Sequence, residues 1–303
     1  MTEDVHFTSD GLTLAGTLHR PRGGGPHPAL AMLQGSGPAD RDSEGYFPPI
    51  RDCFLDAGLA VLSWDKPGIG ESSGDWRERT LFDRAREAVD ALAWLRGQPG
   101  IDPRRVGIWG HSQGGWVGPL TASRDPVAAF VIVNSGPGVT PSEQDRFGIE
   151  HTLRRDGAGD EDVRQALAFI DALHAAAEAG LPYAQAVTEV LGPARGTPWG
   201  RYFGDISADY WTFFVRNHQH PYDPVTALAH VHCPLLAVFG NRDVLTPVDA
   251  SVRIFQEALS RAGNPDVTIR VFPGADHRIR VDDPPAFAPG YLDLLRDWLR
   301  ARL

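Results

Sequence analysis

The chain has 303 residues, of which 42% are hydrophobic and 22% charged, an ordinary composition that allows a sizeable buried core. Its formal net charge of −10 would repel nucleic acids and anionic membranes, so we expect neither as a partner. The acidic N-terminus is no secretory signal, and no apolar run approaches the ~20 residues of a membrane span. Cys53 and Cys233 are too few for a disulfide framework. We therefore expect a cytoplasmic protein, and the sequence leaves its oligomeric state open.

The first half of the chain alternates between strand and helix patterns. A hairpin turn signal at Asp10-Gly11 separates two strands of alternating polarity. Continuous apolar runs follow, typical of strands buried on both faces: ALAMLQ (29–34), LAVLSWD (59–65), RRVGIWG (104–110) and VAAFVIVNSG (127–136). Helical spacing lies between them, most clearly in residues 81–98. This rhythm predicts an α/β fold, with a mostly parallel central sheet and helices on both faces.

From residue 137 to residue 228 the pattern becomes purely helical. Three segments have helical spacing and none resembles a buried strand: DEDVRQALAFIDALHAAAEAG (160–180), LPYAQAVTEVLG (181–192) and SADYWTFFVRN (207–217). The β/α rhythm returns at CPLLAVFGNRD (233–243). We therefore predict a core formed by residues 1–136 and 229–303, interrupted by a helical insertion at 137–228.

The segment VGIWGHSQGG (106–115) carries the strongest motif. Its residues Gly110 to Gly114 fit the pattern G-x-S-x-G, between a buried strand and a helix. In that setting a tight turn would expose the Ser112 hydroxyl, and a helix beginning near Gln113 would favour negative charge beside it. We predict that Ser112 is a nucleophile.

A serine nucleophile needs a base to remove its proton and an acid to orient that base. Such acids and bases follow the serine in the order acid, then histidine, at the carboxyl ends of parallel strands. Asp243 follows the run PLLAVFG and His277 follows TIRVFPG, so we predict them as the acid and the base. Asp276 is a poor candidate for the acid, because it is adjacent to His277 in the chain and neighbouring side chains diverge. His111 is a poor candidate for the base, because the tight turn at Ser112 should direct its side chain elsewhere. The histidine pairs 218/220 and 230/232 lack a third ligand, so we expect no metal site.

Together these residues resemble the α/β-hydrolase fold superfamily over nearly the whole chain. The family's segments for the nucleophile, the acid and the histidine are matched, in this order, by GHSQGG (110–115), GNRDVLTP (240–247) and GADHRI (274–279). WDKPGIGES (64–72) resembles its D-x-R-G-x-G-x-S turn, with Lys66-Pro67 where Arg is usual. The resemblance implies a serine hydrolase without cofactor or metal, in which the insertion is a cap over the substrate pocket. The wording GSGPxDRD also resembles an esterase-like, prolyl-oligopeptidase-like subgroup.

The segment LQGSGPADRDSEG (33–45) follows the third strand, where the family has its oxyanion loop, typically His-Gly-x. Gln34 replaces the usual histidine. Two backbone N–H groups must point at the oxyanion, and we expect them to come from Ser36 and Gln113. A phosphate cradle would need Lys-Ser/Thr after the glycines, which is absent. We expect Asp40-Arg41-Asp42 to tie the loop down, through partners that the sequence does not identify.

We predict that the protein hydrolyses a small-molecule carboxylic ester or a related acyl compound through an acyl-enzyme. His111, Tyr210, Trp211 and Phe214 are candidates for the lining of the substrate pocket, although the core of the cap is the favoured interpretation of the aromatic residues. Alternatives on the same triad are a peptidase or amidase, and a natural-product thioesterase, cyclase or acyltransferase. A non-catalytic binding module that keeps the fold is a further alternative.

Overall fold

The structure, a computed structural model, describes residues 1–282 and 284–303. Eight strands form its main sheet: β1 (Thr2–Ser9), β2 (Leu12–His19), β3 (His27–Leu33), β4 (Ala60–Trp64), β5 (Ile101–His111), β6 (Val131–Asn134), β7 (Leu235–Gly240) and β8 (Val267–Phe272). A separate two-stranded sheet pairs β9 (Arg280–Val281) with β10 (Ala286–Phe287). The α-helices are α1 (Phe47–Asp56), α2 (Leu81–Arg96), α3 (Gln113–Ala122), α4 (Pro141–Arg155), α5 (Asp160–Glu178), α6 (Tyr183–Ala186), α7 (Gly192–Ala194), α8 (Ala208–His218), α9 (Pro224–Leu228), α10 (Val248–Arg261) and α11 (Tyr291–Arg300).

The strand order in the main sheet is β1-β2-β4-β3-β5-β6-β7-β8. β2 pairs antiparallel with both β1 and β4, whereas β3 to β8 pair parallel. The hairpin between β1 and β2 turns at Asp10 and Gly11, which both have positive φ. Helices α1 and α11 pack on one face over Met32, Trp109 and Val238, and α2 and α3 pack against β5. The predicted α/β class with a mostly parallel sheet is confirmed.

Several elements differ from the sequence patterns. Strand β8, which carries TIRVF of the segment before His277, is the edge of the sheet and only half-buried, with Val271 42% exposed. The helical pattern of residues 181–192 breaks into α6, a π-helical turn at 187–191 and the beginning of α7. Helix α4 and the pair β9/β10 have no counterpart among the predicted elements. In the described residues, no helix is both long and apolar enough to cross a bilayer.

The chain divides into two compact units. The sheet unit comprises Met1–Gly138, Pro224–Asp243 and Val248–Leu303, and the helical unit comprises Val139–Asp223 and Val244–Pro247. The helical unit has its own apolar cluster, in which Phe169, Trp199 and Trp211 are large members. The role of the helical unit as a cap remains a prediction.

Candidate active site

Ser112 occupies a strained turn between β5 and α3. Its backbone has φ 56° and ψ −118°, a conformation that L-residues rarely adopt. The turn is possible because glycines flank it: a Cβ atom on Gly110 would lie 2.0 Å from the Gly114 carbonyl oxygen, and one on Gly114 would lie 2.3 Å from the Leu33 carbonyl oxygen. The Ser112 N–H donates to the Asn134 carbonyl at 2.9 Å. Ser112 thus stands at the N-terminus of α3, where the helix dipole stabilises negative charge.

Asp243 and His277 are joined by a hydrogen bond of 2.7 Å between Oδ2 and Nδ1. A carboxylate can only accept a hydrogen bond, so the imidazole proton lies on Nδ1 and Nε2 is the nitrogen that can take another proton. The Asp243 side chain is 0% exposed and the His277 side chain 14% exposed. Burial of this kind strengthens the bond and fixes the orientation of the ring.

The loops that carry these two side chains are joined by backbone contacts. Arg242 N–H donates to the Ala275 carbonyl at 2.8 Å, and Gly274 N–H donates to Asn241 Oδ1 at 2.7 Å. Both loops follow neighbouring parallel strands, β7 and β8, which end at the same edge of the sheet. The position of the acid–histidine pair is therefore determined by the backbone of two loops.

Asp276 has a different use. Its Oδ1 accepts the backbone N–H groups of Arg278 and Arg280, both at 2.9 Å. The carboxylate therefore holds the loop that carries His277 in shape, while Asp243 holds the imidazole.

The segment after β3 lies against Ser112. A Cβ atom on Gly35 would lie 3.3 Å from Ser112 Cβ and 3.7 Å from Ser112 Oγ. Ser36 follows Gly35 in the chain, and Gln113 follows Ser112 as the first residue of α3. The two expected N–H donors thus belong to segments that meet at the serine, and their role in holding an oxyanion remains a prediction.

Gln34 does not take the place of the usual histidine at the surface of this site. Its side chain is buried and turned into the protein, where Nε2 donates to the Trp64 carbonyl and Oε1 accepts from Arg84 Nη2 at 3.3 Å. Its amide fastens the end of β3 to the end of β4 and to α2.

The side chains of Asp40, Arg41 and Asp42 bind other residues of the protein. The Arg41 guanidinium binds the Asp65 carboxylate, with Nη2 to Oδ2 at 2.7 Å, and also donates to Thr17 Oγ1 at 2.7 Å. Asp42 Oδ1 accepts from Arg51 Nη1 at 2.6 Å. Asp40 Oδ1 accepts backbone N–H groups of its own turn. These contacts tie the loop down as expected.

Behind the site lies a buried polar network that the sequence did not predict. Asn134, the last residue of β6, accepts the Tyr291 hydroxyl proton at Oδ1 at 2.7 Å. Its Nδ2 donates at 3.2 Å to both the Tyr46 hydroxyl oxygen and His111 Nδ1. Tyr46 in turn donates to the Arg278 carbonyl at 3.0 Å. A polar residue at the carboxyl end of a buried strand is the sequence signal that could have identified Asn134.

His111 is a neutral neighbour of His277 in this network. Because Asn134 donates to Nδ1, the ring proton of His111 lies on Nε2. The His111 ring centroid is 5.0 Å from that of His277. Burial, followed by the positive charges of His277 and Arg278, holds the pKa of His111 well below its usual value of 6.5. The ring beside His277 is therefore uncharged at neutral pH.

The aromatic candidates for the pocket lie in the helical unit, in two environments. Trp211 is 2% exposed, belongs with Phe214 to the apolar cluster, and donates its Nε1 proton to the Leu181 carbonyl at 2.8 Å. Tyr210 is 45% exposed. Their part in a substrate pocket remains a prediction.

The arrangement of metal-binding side chains can be compared with the expectation from the sequence. The parts of the chain that the structure describes contain no group of three His, Cys, Asp or Glu side chains placed to hold an ion. His218, His220 and His230 each bind, through Nδ1, the carbonyl four residues earlier at 2.8–2.9 Å.

Comparison with known proteins gives a consistent result. A model of the alpha/beta hydrolase family matches residues 23–289. The polyketide transferase claH of Penicillium crustosum is 32% identical over 154 residues, which are 50% of this chain and 49% of that protein. The thiohydrolase aneE of Aspergillus aculeatus is 38% identical over 114 residues, 37% of this chain and 34% of that protein. The chain thus spans about half of the first relative and about a third of the second.

Among solved structures, the esterase Pf2001 of Pyrococcus furiosus is similar with a TM-score of 0.66, over 100% of this chain and 91% of that chain. The identity is 18%, so this likeness concerns the fold.

Proposed function

The chain belongs to the alpha/beta hydrolase family, and from this premise we propose that it is a serine hydrolase that cleaves a carboxylic ester or a related acyl compound. The observation that carries the proposal is the 2.7 Å hydrogen bond between the buried Asp243 carboxylate and His277 Nδ1. A buried acid that orients an imidazole, in the unit that also holds a serine on a strained turn, has the parts of a nucleophilic acyl-transfer site.

In the proposed first half-reaction, Ser112 Oγ attacks the acyl carbon while His277 Nε2 takes the hydroxyl proton. The acyl oxygen becomes an oxyanion, which accepts the Ser36 and Gln113 N–H groups. Collapse of this intermediate breaks the bond to the leaving group, and His277 returns the proton to the leaving oxygen. Asp243 stabilises the imidazolium that exists between these steps.

In the second half-reaction, water attacks the acyl-enzyme and gives a proton to His277 Nε2. Collapse of the second oxyanion releases the carboxylic acid, and the same proton restores Ser112. The side chains that move protons are thus limited to Ser112 and His277.

A second candidate is thioester cleavage or transfer of the acyl group to an acceptor other than water. The two curated relatives are named as a polyketide transferase and a thiohydrolase, which favours this chemistry. It needs the same acyl-enzyme, and it differs only in the leaving group or in the acceptor.

The test is the activity of Ser112→Ala in the purified protein. We expect hydrolysis of p-nitrophenyl esters to fall by about 10⁴-fold or more, and labelling by a fluorophosphonate to disappear. Ser123→Ala is the matched control, because Ser123 ends α3 and donates to the Leu120 carbonyl. Undiminished hydrolysis by Ser112→Ala would refute the proposal.

A substrate series separates the two candidates. The wild-type protein is given oxygen esters, thioesters and aminoacyl anilides of varied acyl length. The ratio of transfer to hydrolysis is then measured with added alcohol or thiol acceptors. If most of the acyl group is recovered on the added acceptor rather than as free carboxylic acid, the acyltransferase is favoured.

A further inference from the structure

Lys66 is the only lysine in the sequence, which contains 29 Lys and Arg residues in total. It lies just after β4 and is 1% exposed. No step of the proposed reaction uses it. A lone buried ammonium in a chain that otherwise uses arginine points to a site where a compact cation is needed.

Residue 66 binds the segment after β3 at three points. Its backbone N–H donates to the Ala39 carbonyl at 3.1 Å. Its Nζ donates to the Gly37 carbonyl at 2.7 Å and to the Gly35 carbonyl. The ammonium group thus spans the two carbonyls on either side of Ser36.

The contact with Gly35 determines where an N–H group points. The peptide between Gly35 and Ser36 contains the carbonyl that Lys66 binds and the N–H that we expect to hold the oxyanion. This peptide is trans, so its C=O and N–H point in opposite directions. While Lys66 holds the Gly35 oxygen, the Ser36 N–H must point away from Lys66.

The carbonyls of Gly35 and Gly37 are the hydrogen-bond partners of Lys66 Nζ. Within residues 1–282 and 284–303, no carboxylate forms an ion pair with Nζ. Burial, and then the nearby positive charge of Arg84, holds the pKa of Lys66 well below its usual value of 10.5. An unpaired buried cation destabilises a fold, so its presence is better explained by the geometry of the loop than by stability.

We propose that Lys66 is the positioning residue of the oxyanion hole: it fixes the Gly35–Ser36 peptide and polarises it, so that the Ser36 N–H is oriented before the oxyanion forms. A cation that binds the carbonyl of a peptide strengthens the N–H of the same peptide as a donor. The inference rests on the proposed function, because it assigns a support to one donor of that site. Gly37 is followed by Pro38, which has no N–H, so the second contact only anchors the loop.

The first experiment compares Lys66→Met with Lys66→Arg. Met keeps the length of the side chain and removes the donors, so we expect kcat for a p-nitrophenyl ester to fall by about 10²-fold, the usual cost of losing one oxyanion donor, with KM within threefold. Lys66→Arg keeps the charge and the donors, and we expect it to retain at least tenfold more activity than Lys66→Met. Equal losses in the two variants, or a kcat of Lys66→Met within threefold of wild type, would overturn the proposal.

Arg96→Met is the control for loss of a half-buried cation. Arg96 lies at the end of α2 and binds Asp125 at 2.6 Å. We expect it to lower the melting temperature while leaving kcat unchanged. A fall in kcat of Arg96→Met as large as that of Lys66→Met would count against a specific role of Lys66.

The second experiment uses the wild-type chain, so it does not depend on whether Lys66→Met folds. Lysine labelled with ¹⁵N at Nζ gives one side-chain resonance, since the chain has one lysine. We expect this resonance to move when a fluorophosphonate reacts with Ser112, and to stay in place when Ser112→Ala is treated. An unmoved resonance in the labelled wild type would refute the inference. If Ser112→Ala is inactive but Lys66→Met is not impaired, only the inference fails; if Ser112→Ala remains active, the proposed function fails.

Discussion

The two units differ in what they bury. The sheet unit buries polar side chains that are bonded in sets, such as Asn134 with its two tyrosines and Asp243 with His277. The helical unit buries an apolar cluster, and only His174 and Thr246 are buried polar side chains among its described residues.

Hydrogen bonds depend on direction, whereas apolar packing depends mainly on volume and area. A network of directed bonds holds side chains in one geometry, which acyl transfer requires. An apolar cluster can keep a unit folded with many different combinations of apolar side chains, provided that the total volume is kept. We therefore expect substitutions in the Asp243–His277 pair of the sheet unit to change rates, and substitutions in the apolar cluster of the helical unit to change stability.

The largest effect is expected from Asp243→Asn. The amide could donate to the imidazole, which would then hold its proton on Nε2 and lose the lone pair that Ser112 needs. We expect kcat for an ester to fall by about 10⁴-fold, with the melting temperature measured in parallel.

Asp276→Asn is the matched control, because it changes the adjacent acid, whose carboxylate accepts the backbone N–H groups of Arg278 and Arg280. We expect it to keep most of the activity. A kcat for Asp243→Asn within tenfold of wild type would show that the acid–histidine bond is not part of the chemistry.

Trp211→Ala tests the apolar cluster of the helical unit. Removing the indole from the apolar cluster leaves a cavity, and we expect a loss of about 3–5 kcal/mol in the free energy of unfolding, measured by urea denaturation. The rate at which a fluorophosphonate labels Ser112 should stay within threefold of wild type under conditions where the protein is folded.

Tyr210→Ala is the control for Trp211, because Tyr210 precedes it on α8 but is 45% exposed. We expect its effect on stability to be small. If Trp211→Ala instead raised KM for esters by more than tenfold with little loss of stability, Trp211 would be a pocket residue, which is the alternative that the sequence left open.

The parts of the fold that the sequence could predict are those with a strong periodic signal. Apolar runs identified β3 to β7, because strands buried on both faces need such runs. Helix α4 was missed because, of its residues, only Leu153 is buried, so the helical period is weak. Its start was still marked, since Thr140 and Glu143 form a capping box.

The candidate site also contains residues that the sequence could predict and a contact that it could not. Ser112, Asp243 and His277 could be nominated because each follows the carboxyl end of a strand, and these ends gather at one edge of a parallel sheet. The contact of Lys66 with the Gly35 carbonyl could not, because it joins backbone and side-chain atoms of two loops 31 residues apart. Nothing in the periodicity of either loop specifies such a contact.

The smallest effect is a dependence of stability on pH. The pKa of His111 in the sheet unit is held well below 6.5 by burial, so below pH 6.5 the unfolded chain binds a proton that the folded chain does not. Stability must then fall as pH falls, by at most about 1.4 kcal/mol per pH unit for this one group. His111→Gln should flatten the dependence between pH 6.5 and pH 5, measured by urea unfolding.

The helical unit supplies the comparison for this measurement. His218 also has a pKa lowered by burial, but its side chain is only partly buried, whereas His111 is 6% exposed. His218→Gln should therefore flatten the pH dependence less than His111→Gln does. If the two variants flatten the pH dependence of stability equally, the polar network around His111 lowers the histidine pKa no more than burial does at His218. A larger effect at His111 would show that this network keeps the neighbour of His277 uncharged below pH 6.5.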